Sequence, residues 1–333
     1  VRFSSFTALG ASTQREYSPN APLNDQNVVN EITFKNNEAI KTYNGFEYRI
    51  ALRQLLTETI SLKLGYDTNY QYLHKLSTNT TQSPTDTWKL ADLNIKPTYG
   101  QQISLGIFKN FNDLPYEISL ESYYKKSSNF LDYKIGAELI LNDHIETEVI
   151  QGEGKAYGIE LLIKKTSGRL NGWIGYTYSR TLVKLDSQHV EEVVNNGKYF
   201  PSNFDKPHDL SAILNYKFTK RYSLSTNFIY QTGRPITYPI GSYEYGGAQY
   251  TLYSDRNKFR IPDYYRLDIG MNIEGNHKLK KQAHSFWNIS IYNVLGRNNP
   301  YSIYFVTEDG KIKGYKTSIF AIPIPTITYN FKF

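Results

Sequence analysis

One short stretch of the chain, FDKPHD at 204–209, contains the residue types that a catalytic or metal site would use. Asp205, His208 and Asp209 lie close enough in sequence to suggest a set of metal ligands or part of a catalytic triad. The same letters also suit a turn, because Pro207 fixes the backbone just before a strand pattern begins. We favour the turn, since the positions that follow continue as a strand.

Other enzymatic motifs do not occur in the sequence. The histidines show no metal-ligand spacing, and neither GxSxG nor HExxH is found. The glycines of QGEGKAYG at 151–158 do not form a phosphate-binding loop, because a strand pattern and not a helix pattern follows them. The absence of cysteine excludes disulfides, thiolate metal sites and cysteine nucleophiles. We therefore predict no catalytic residue, no cofactor and no metal site.

Tyrosine and arginine are concentrated in the segment 233–260, where their chemistry suits ligand binding. Tyrosine rings stack on flat apolar faces, and guanidinium groups hold anions. The alternative for each residue is an aromatic collar in which one loop packs against another. The neighbouring segment 183–206 is a second candidate for ligand contact, because it is also long and polar. The predicted ligand-binding residues are Arg234, Tyr238, Tyr243, Tyr245, Tyr250, Tyr253, Arg256 and Arg260.

The elements that would position these residues are β-strands, because apolar and polar residues alternate along most of the chain. In the closing segment PTITYNFKF, for example, Ile327, Tyr329 and Phe331 alternate with polar residues. No helical period of comparable length occurs. The alternation predicts twelve strands, near 1–9, 45–54, 57–73, 100–110, 115–130, 153–165, 169–182, 207–217, 221–232, 261–275, 284–306 and 315–333.

The connections between the predicted strands alternate between two lengths. Short turns alternate with long connections at 10–44, 74–99, 131–152, 183–206 and 233–260. This alternation is typical of a membrane barrel, which makes short periplasmic turns and long outer loops. Most predicted strands also reach the roughly 9–11 residues that a tilted strand needs to cross the hydrocarbon. The predicted fold class is all-β, a transmembrane antiparallel β-barrel, with a soluble all-β protein as the alternative.

Composition and charge agree with a strand-rich membrane protein. The chain has 30 tyrosines and an aromatic fraction of 15%, which favours strands and suits aromatic girdles at the membrane interfaces. The net charge of +7 is scattered, so we expect outer-membrane lipid and no nucleic acid as partner. The polar face would turn charges toward the lumen, where they pair or dock another domain: Glu47, Arg49, Arg53, Lys63, Asp67, Glu117 and Glu121.

Several segments resemble the carboxyl-terminal half of the barrel of TonB-dependent outer-membrane receptors. They are IKPTYGQQISLGIFKNF, YFPSNFDKPHDLSAILNYKFTKRYSLSTNFIYQTGRPITYP, RIPDYYRLDIGMN, NISIYNVLGRNNPYSIYF and the terminal PTITYNFKF. The resemblance implies a barrel of roughly 22 strands around an amino-terminal plug. It also implies that 1–333 is the carboxyl-terminal portion, and we expect a fragment that lacks the plug, the TonB box and the first strands.

By resemblance, the intact receptor would take up a scarce nutrient: a ferric chelate, a vitamin, a glycan or a peptide. The TonB complex would supply energy through the plug, and a surface lipoprotein would be a further partner. Tyr329, Phe331 and Phe333 would act as the outer-membrane assembly signal. Two alternatives remain open, a passive pore or structural part of a surface assembly, and an outer-membrane barrel enzyme. The enzyme would need a serine or carboxylate paired with histidine.

Overall fold

The structure, a computed structural model, describes residues 1–76, 87–134, 137, 141–275, 284–308 and 311–332. Phe333 and most of the predicted short turn 275–282 lie outside these ranges. Among the described residues, no helix is long and apolar enough to cross a membrane. Four single 3₁₀ turns occur there, at Asp25–Asn27, Ile145–Thr147, Val190–Glu192 and Asn195–Gly197.

The described strands, numbered in chain order, are β1 (Arg2–Leu9), β2 (Ser12–Tyr17), β3 (Val28–Phe34), β4 (Ala39–Glu47), β5 (Arg49–Leu55), β6 (Ile60–Gln71), β7 (Leu73–Leu76), β8 (Thr87–Leu90), β9 (Thr98–Asn110), β10 (Tyr116–Tyr133), β11 (Val149–Lys165), β12 (Leu170–Lys184), β13 (Phe200–Pro201), β14 (His208–Lys217), β15 (Tyr222–Gln231), β16 (Pro235–Ile236), β17 (Pro239–Tyr245), β18 (Ala248–Tyr253), β19 (Phe259–Arg260), β20 (Tyr264–Glu274), β21 (His284–Tyr292), β22 (Pro300–Glu308), β23 (Lys311–Ser318) and β24 (Ile324–Lys332).

One large antiparallel sheet carries the fold. Its order is β24-β21-β20-β15-β14-β12-β11-β10-β9-β6-β5, and the short β13 pairs with the end of β12. Each strand pairs with the next sheet strand along the chain, which is the pattern of an up-and-down barrel wall. Within the described residues, the sheet ends at β5 and β24 and does not close.

The two faces of the sheet differ in polarity, as alternation predicts. The register places Leu52 beside Leu64, and Leu64 beside Leu105. These side chains are 62%, 43% and 44% exposed, although a soluble protein would bury such a band. The next positions, Arg53 and Lys63, pair on the opposite face. The apolar face is therefore the one suited to lipid.

The long connections are more regular than the predicted loops. The segment 10–44 contains the hairpin β2–β3 and most of β4, which pairs with β1. The segment 74–99 contains part of the hairpin β7–β8, and 233–260 contains the β16–β19 pair and the hairpin β17–β18. The alternation in the sequence did not reveal these hairpins, because their strands are short.

Three predicted strands are interrupted in the structure. The strand at 284–306 divides into β21 and β22, because Asn293 and Gly296 adopt positive φ angles of 54° and 58°. The strand at 315–333 divides into β23 and β24 near Phe320, whose φ is also 54°. β22 and β23 form a separate hairpin, so the last two strands of the main sheet are β21 and β24. The strand at 45–54 breaks at Tyr48, whose amide donates to Thr68 Oγ1 at 2.9 Å.

Buried apolar side chains gather among the long connections and at the strand ends that adjoin them, rather than along the middle of the sheet. One cluster joins Leu76, Ile95, Ile145 and Val149. A second cluster joins Ile150, Val183, Leu185, Val194 and Phe200. The connections therefore pack on one another at one end of the sheet. We call them the loop layer, which consists of the connections between β6 and β9, β10 and β11, β12 and β14, β15 and β20, and β21 and β24.

Candidate ligand-binding site

A cavity of about 630 Å³ opens where the loop layer meets the polar face of the sheet. Gln231 at the end of β15 pairs with Tyr264 at the start of β20, so their side chains share one face. Arg266 lies two residues further along β20, on that same face. All three residues line the cavity. The sheet therefore supplies one wall, and the connections after β12, β15 and β21 supply the others.

The cations of the cavity differ in how they are held. Arg266 is paired with Asp268 at 2.9 Å and also donates to the hydroxyls of Tyr264 and Tyr292 at 3.1 and 2.7 Å. Its guanidinium also lies 4.3 Å from the centre of the Tyr292 ring. Lys206 donates to the amide oxygen of Gln231 at 2.9 Å. Arg266 is therefore a fixed part of the wall, whereas Lys206 contacts a neutral group.

Arg234 is the predicted ligand residue that the structure places in the cavity lining. It follows β15 and Gly233, and its Nε atom is buried without a hydrogen-bond partner. Burial lowers the pKa of this guanidinium below its ordinary value, although Tyr133 opposes the change. An unpartnered polar atom of this kind is a good contact point for a ligand.

Arg256 and Arg260, two more of the predicted ligand residues, are held by protein groups. Arg256 is 7% exposed, donates to the carbonyl of Tyr133 at 2.7 Å and pairs with Asp132 at 3.5 Å. Arg260 pairs with Asp205 and donates to the carbonyl of Gly233 at 2.9 Å. Arg256 therefore joins its connection to the end of β10, and Arg260 joins the connection before β14 to the one after β15.

The predicted tyrosines lie on or near the hairpin β17–β18. Tyr243 and Tyr250 stack with ring centres 5.5 Å apart, and Tyr245 is 75% exposed near the tip. Tyr253 is also exposed. Tyr238 packs edge-on against Phe259 and against Phe305 of β22. None of these tyrosines lines the cavity, so they form a separate aromatic surface among the described residues.

The sequence motif FDKPHD forms a turn that is held from both sides. Asp205 is fully buried, and its carboxylate accepts from Arg180 Nε at 3.2 Å and from the Thr181 amide at 2.6 Å. It also accepts from Arg260. His208 begins β14, where its Nδ1 lies 2.8 Å from the hydroxyl of Tyr176. Asp205 therefore fastens the turn to β12 and β19.

The polar-face charges mostly lie together on one side of the sheet. Arg49 faces Asp67 across the β5–β6 pair, and Glu117 pairs with Lys164 at 3.0 Å. Glu121 lies opposite Gly106 in β9, which in turn lies opposite Lys63 in β6.

Glu47 at the end of β4 is 6% exposed and pairs with Arg2. It also accepts from the Tyr70 amide at 2.9 Å. This carboxylate therefore stabilises the pairing of three strands. The terminal Tyr329 and Phe331 are exposed on β24, and Tyr329 packs on Trp287 with ring centres 4.7 Å apart.

Sequence reasoning missed several residues of the cavity. They come from three strands of the main sheet and from the three connections after β12, β15 and β21, and the sequence shows no local motif that joins them. A usable signal was their position, since Gln231, Tyr264 and Tyr292 are polar or aromatic residues at the strand ends nearest the long connections. Asn203, Phe204 and Lys206 lie in the candidate segment 183–206 but were not singled out, and the lining residues outside both candidate segments include Asn299, Tyr301 and Phe320.

Solved structures with a similar fold include three bacterial proteins. The ferric yersiniabactin uptake receptor FyuA from Yersinia pestis has a TM-score of 0.55 at 12% identity, over 89% of this chain and 40% of that one. The FrpB iron transporter from Neisseria meningitidis has a TM-score of 0.54 at 11% identity, over 89% of this chain and 41% of that one. The pyoverdine outer membrane receptor FpvA from Pseudomonas aeruginosa PAO1 has a TM-score of 0.53 at 13% identity, over 91% of this chain and 37% of that one.

This chain thus spans about two fifths of the length of those structures. No curated protein matches it. The family described as "TonB dependent receptor-like, beta-barrel" matches residues 9–294, which is most of the sequence. Together with the antiparallel sheet and its apolar outer face, this match places the protein in the outer membrane. The chain belongs to the TonB-dependent receptor family and forms part of its β-barrel.

Proposed function

We propose that residues 1–333 are the carboxyl-terminal portion of a plugged barrel, and that the intact receptor takes up a scarce nutrient by energised transport. The observation that best supports this is the cavity on the polar face of the sheet, open toward the loop layer. A ligand held there would already lie inside the wall of the barrel. The open edges at β5 and β24 are consistent with further strands, because unpaired backbone groups are not tolerated in lipid.

The proposed mechanism needs no covalent chemistry by this chain. The loop layer captures the ligand, the cavity holds it, and the TonB complex acts through the plug to let it pass inward. The polar-face charges, such as Glu121 and Lys63, dock the plug, and a surface lipoprotein covers the loop layer. A ferric chelate is the first nutrient class to test, because the similar structures are described as an iron transporter and a ferric yersiniabactin uptake receptor.

Energised uptake is tested with cells that produce the intact receptor and are starved of iron. Iron-55 is supplied on a panel of chelates, and its entry is measured with and without a protonophore and with and without the TonB complex. We expect uptake of one chelate class that needs the receptor, TonB and the proton gradient.

A matched strain without the receptor gives the background. Receptor-dependent uptake that persists after the gradient is collapsed would contradict the proposal and support the passive pore. If no ferric chelate enters, the same cells are given labelled vitamins, glycans and peptides, and absence of receptor-dependent uptake of all four classes would refute the transport function and support a structural role.

A further inference from the structure

The charged side chains that line the cavity are all positive. The lining contains three cations, Lys206, Arg234 and Arg266, and no carboxylate. Asp268 neutralises Arg266 at 2.9 Å. For Lys206 and Arg234, the described part of the chain offers no carboxylate within ion-pair distance. The cavity therefore holds two cations that lack a counter-charge.

Leaving a buried guanidinium atom such as Arg234 Nε without an acceptor or a counter-charge is costly. A charge that leaves water gives up its hydration, and only a partner of opposite sign or several hydrogen bonds compensate for the loss. Lys206 has one neutral acceptor, the amide oxygen of Gln231. The buried Nε of Arg234 has no acceptor. An anionic ligand would supply what both residues lack.

The rim of the cavity adds a second requirement. Phe204, Tyr301 and Phe320 line it, and their side chains are 65%, 42% and 59% exposed. Aromatic side chains of this size are favourable contact surfaces for planar apolar groups. The rim is thus suited to contact an aromatic ring of a ligand, and the two cations are suited to contact an acidic group.

We infer that this cavity binds a small aromatic anion, with its acidic group against Lys206 and Arg234 and its ring against the rim. The inference deepens the proposed function and rests on it, because it narrows the nutrient to an acidic aromatic molecule or a chelate that carries such groups. It excludes neutral glycans and cationic peptides from this cavity, since neither would neutralise the two cations.

The test uses the intact receptor in lipid nanodiscs and saturation-transfer NMR. The probes are salicylate, its neutral analogue salicylamide, and phenyl phosphate, which distinguishes a preference for carboxylate from one for phosphate. We expect salicylate or phenyl phosphate to bind at least about tenfold more tightly than salicylamide, as one charge-assisted contact allows.

The variants Lys206→Gln and Arg234→Gln each remove one charge and keep a polar side chain. Each is expected to weaken anion binding by about tenfold and to leave salicylamide unchanged. Lys198→Gln is the matched control, because Lys198 is exposed in the loop layer and does not line the cavity. Either variant alone is informative if the other fails to fold.

Equal binding of salicylate and salicylamide, or anion binding that neither variant weakens, would overturn the inference. Anion binding that all three variants weaken equally would also overturn it, because that result indicates general surface charge. The measurement needs no proton gradient, so its failure is distinguishable from failure of transport. Uptake without anion binding would reject this cavity, whereas anion binding without uptake would reject the transport function.

Discussion

Replacing Asp205 with asparagine tests whether a single buried carboxylate holds the loop layer to the sheet. Asp205 is fully buried and joins Arg180, the Thr181 amide and Arg260. Breaking a buried ion pair costs about 3–5 kcal/mol. Here the arginine side chains are 28% and 27% exposed, and solvent partly screens them. We therefore expect Asp205→Asn to destabilise the connection between β12 and β14 by about 2–3 kcal/mol.

Hydrogen exchange followed by mass spectrometry measures this loss on the intact receptor. A loss of about 2–3 kcal/mol corresponds to exchange that is faster by about 30- to 150-fold in 185–207. The matched control is Asp255→Asn, because Asp255 pairs with Lys258 in a contact that is more than half exposed. That variant should change exchange by less than about threefold. If Asp205→Asn changes exchange no more than the control does, the Asp205 carboxylate does not stabilise the attachment of the loop layer to the sheet.

Three further predictions concern other parts of the molecule. Burial lowers the pKa of His74, so the folded hairpin β7–β8 favours the neutral ring. The stability of this hairpin should therefore be greatest above about pH 6.5, the ordinary pKa of histidine, and should decline as the pH falls below it. Exchange in β7 and β8, corrected for intrinsic rate, should show this, and His74→Gln should abolish it. Gly233→Ala would place a Cβ 1.7 Å from the carbonyl oxygen of Ile261 and should destabilise the cavity wall by about 1–3 kcal/mol. Gly241→Ala is the control, because its added Cβ would meet nothing within 4 Å. Protease sensitivity compares the two variants, and equal sensitivity would contradict this reasoning. Phe331→Ser should lower the fraction of receptor assembled in the outer membrane, which is measured by heat-modifiable migration in gel electrophoresis. A substitution on the polar face of β24 is the control. If Phe331→Ser lowers the assembled fraction no more than this control does, Phe331 has no specific role in assembly.

The main sheet was predictable because its causes are local. Alternation determines which residues face outward, and a short turn such as 218–221 determines the pairing of the strands that it joins. The ion pair of Arg266 with Asp268 also has a local cause, since both residues lie on the same face of one strand. Local patterns of this kind are independent of the rest of the chain.

The loop layer and the cavity were not predictable in the same way. β22 and part of β23 fall within the predicted strands 284–306 and 315–333, and their exclusion from the sheet depends on the positive φ angles of Asn293 and Phe320. The cavity joins Lys206, Gln231 and Tyr292, which lie far apart in the sequence. Their proximity follows from strand order and loop packing, which a single sequence does not encode in any short motif.

The turn of the hairpin β17–β18 makes the receptor a candidate scaffold for displaying foreign peptides. Gly246 and Gly247 have φ angles of 61° and 76°, which a two-residue hairpin turn requires. Their added Cβ atoms would meet nothing within 4 Å, and β17 and β18 pair with each other rather than with the main sheet. An epitope inserted between these glycines would project from the loop layer without changing the register of the barrel wall.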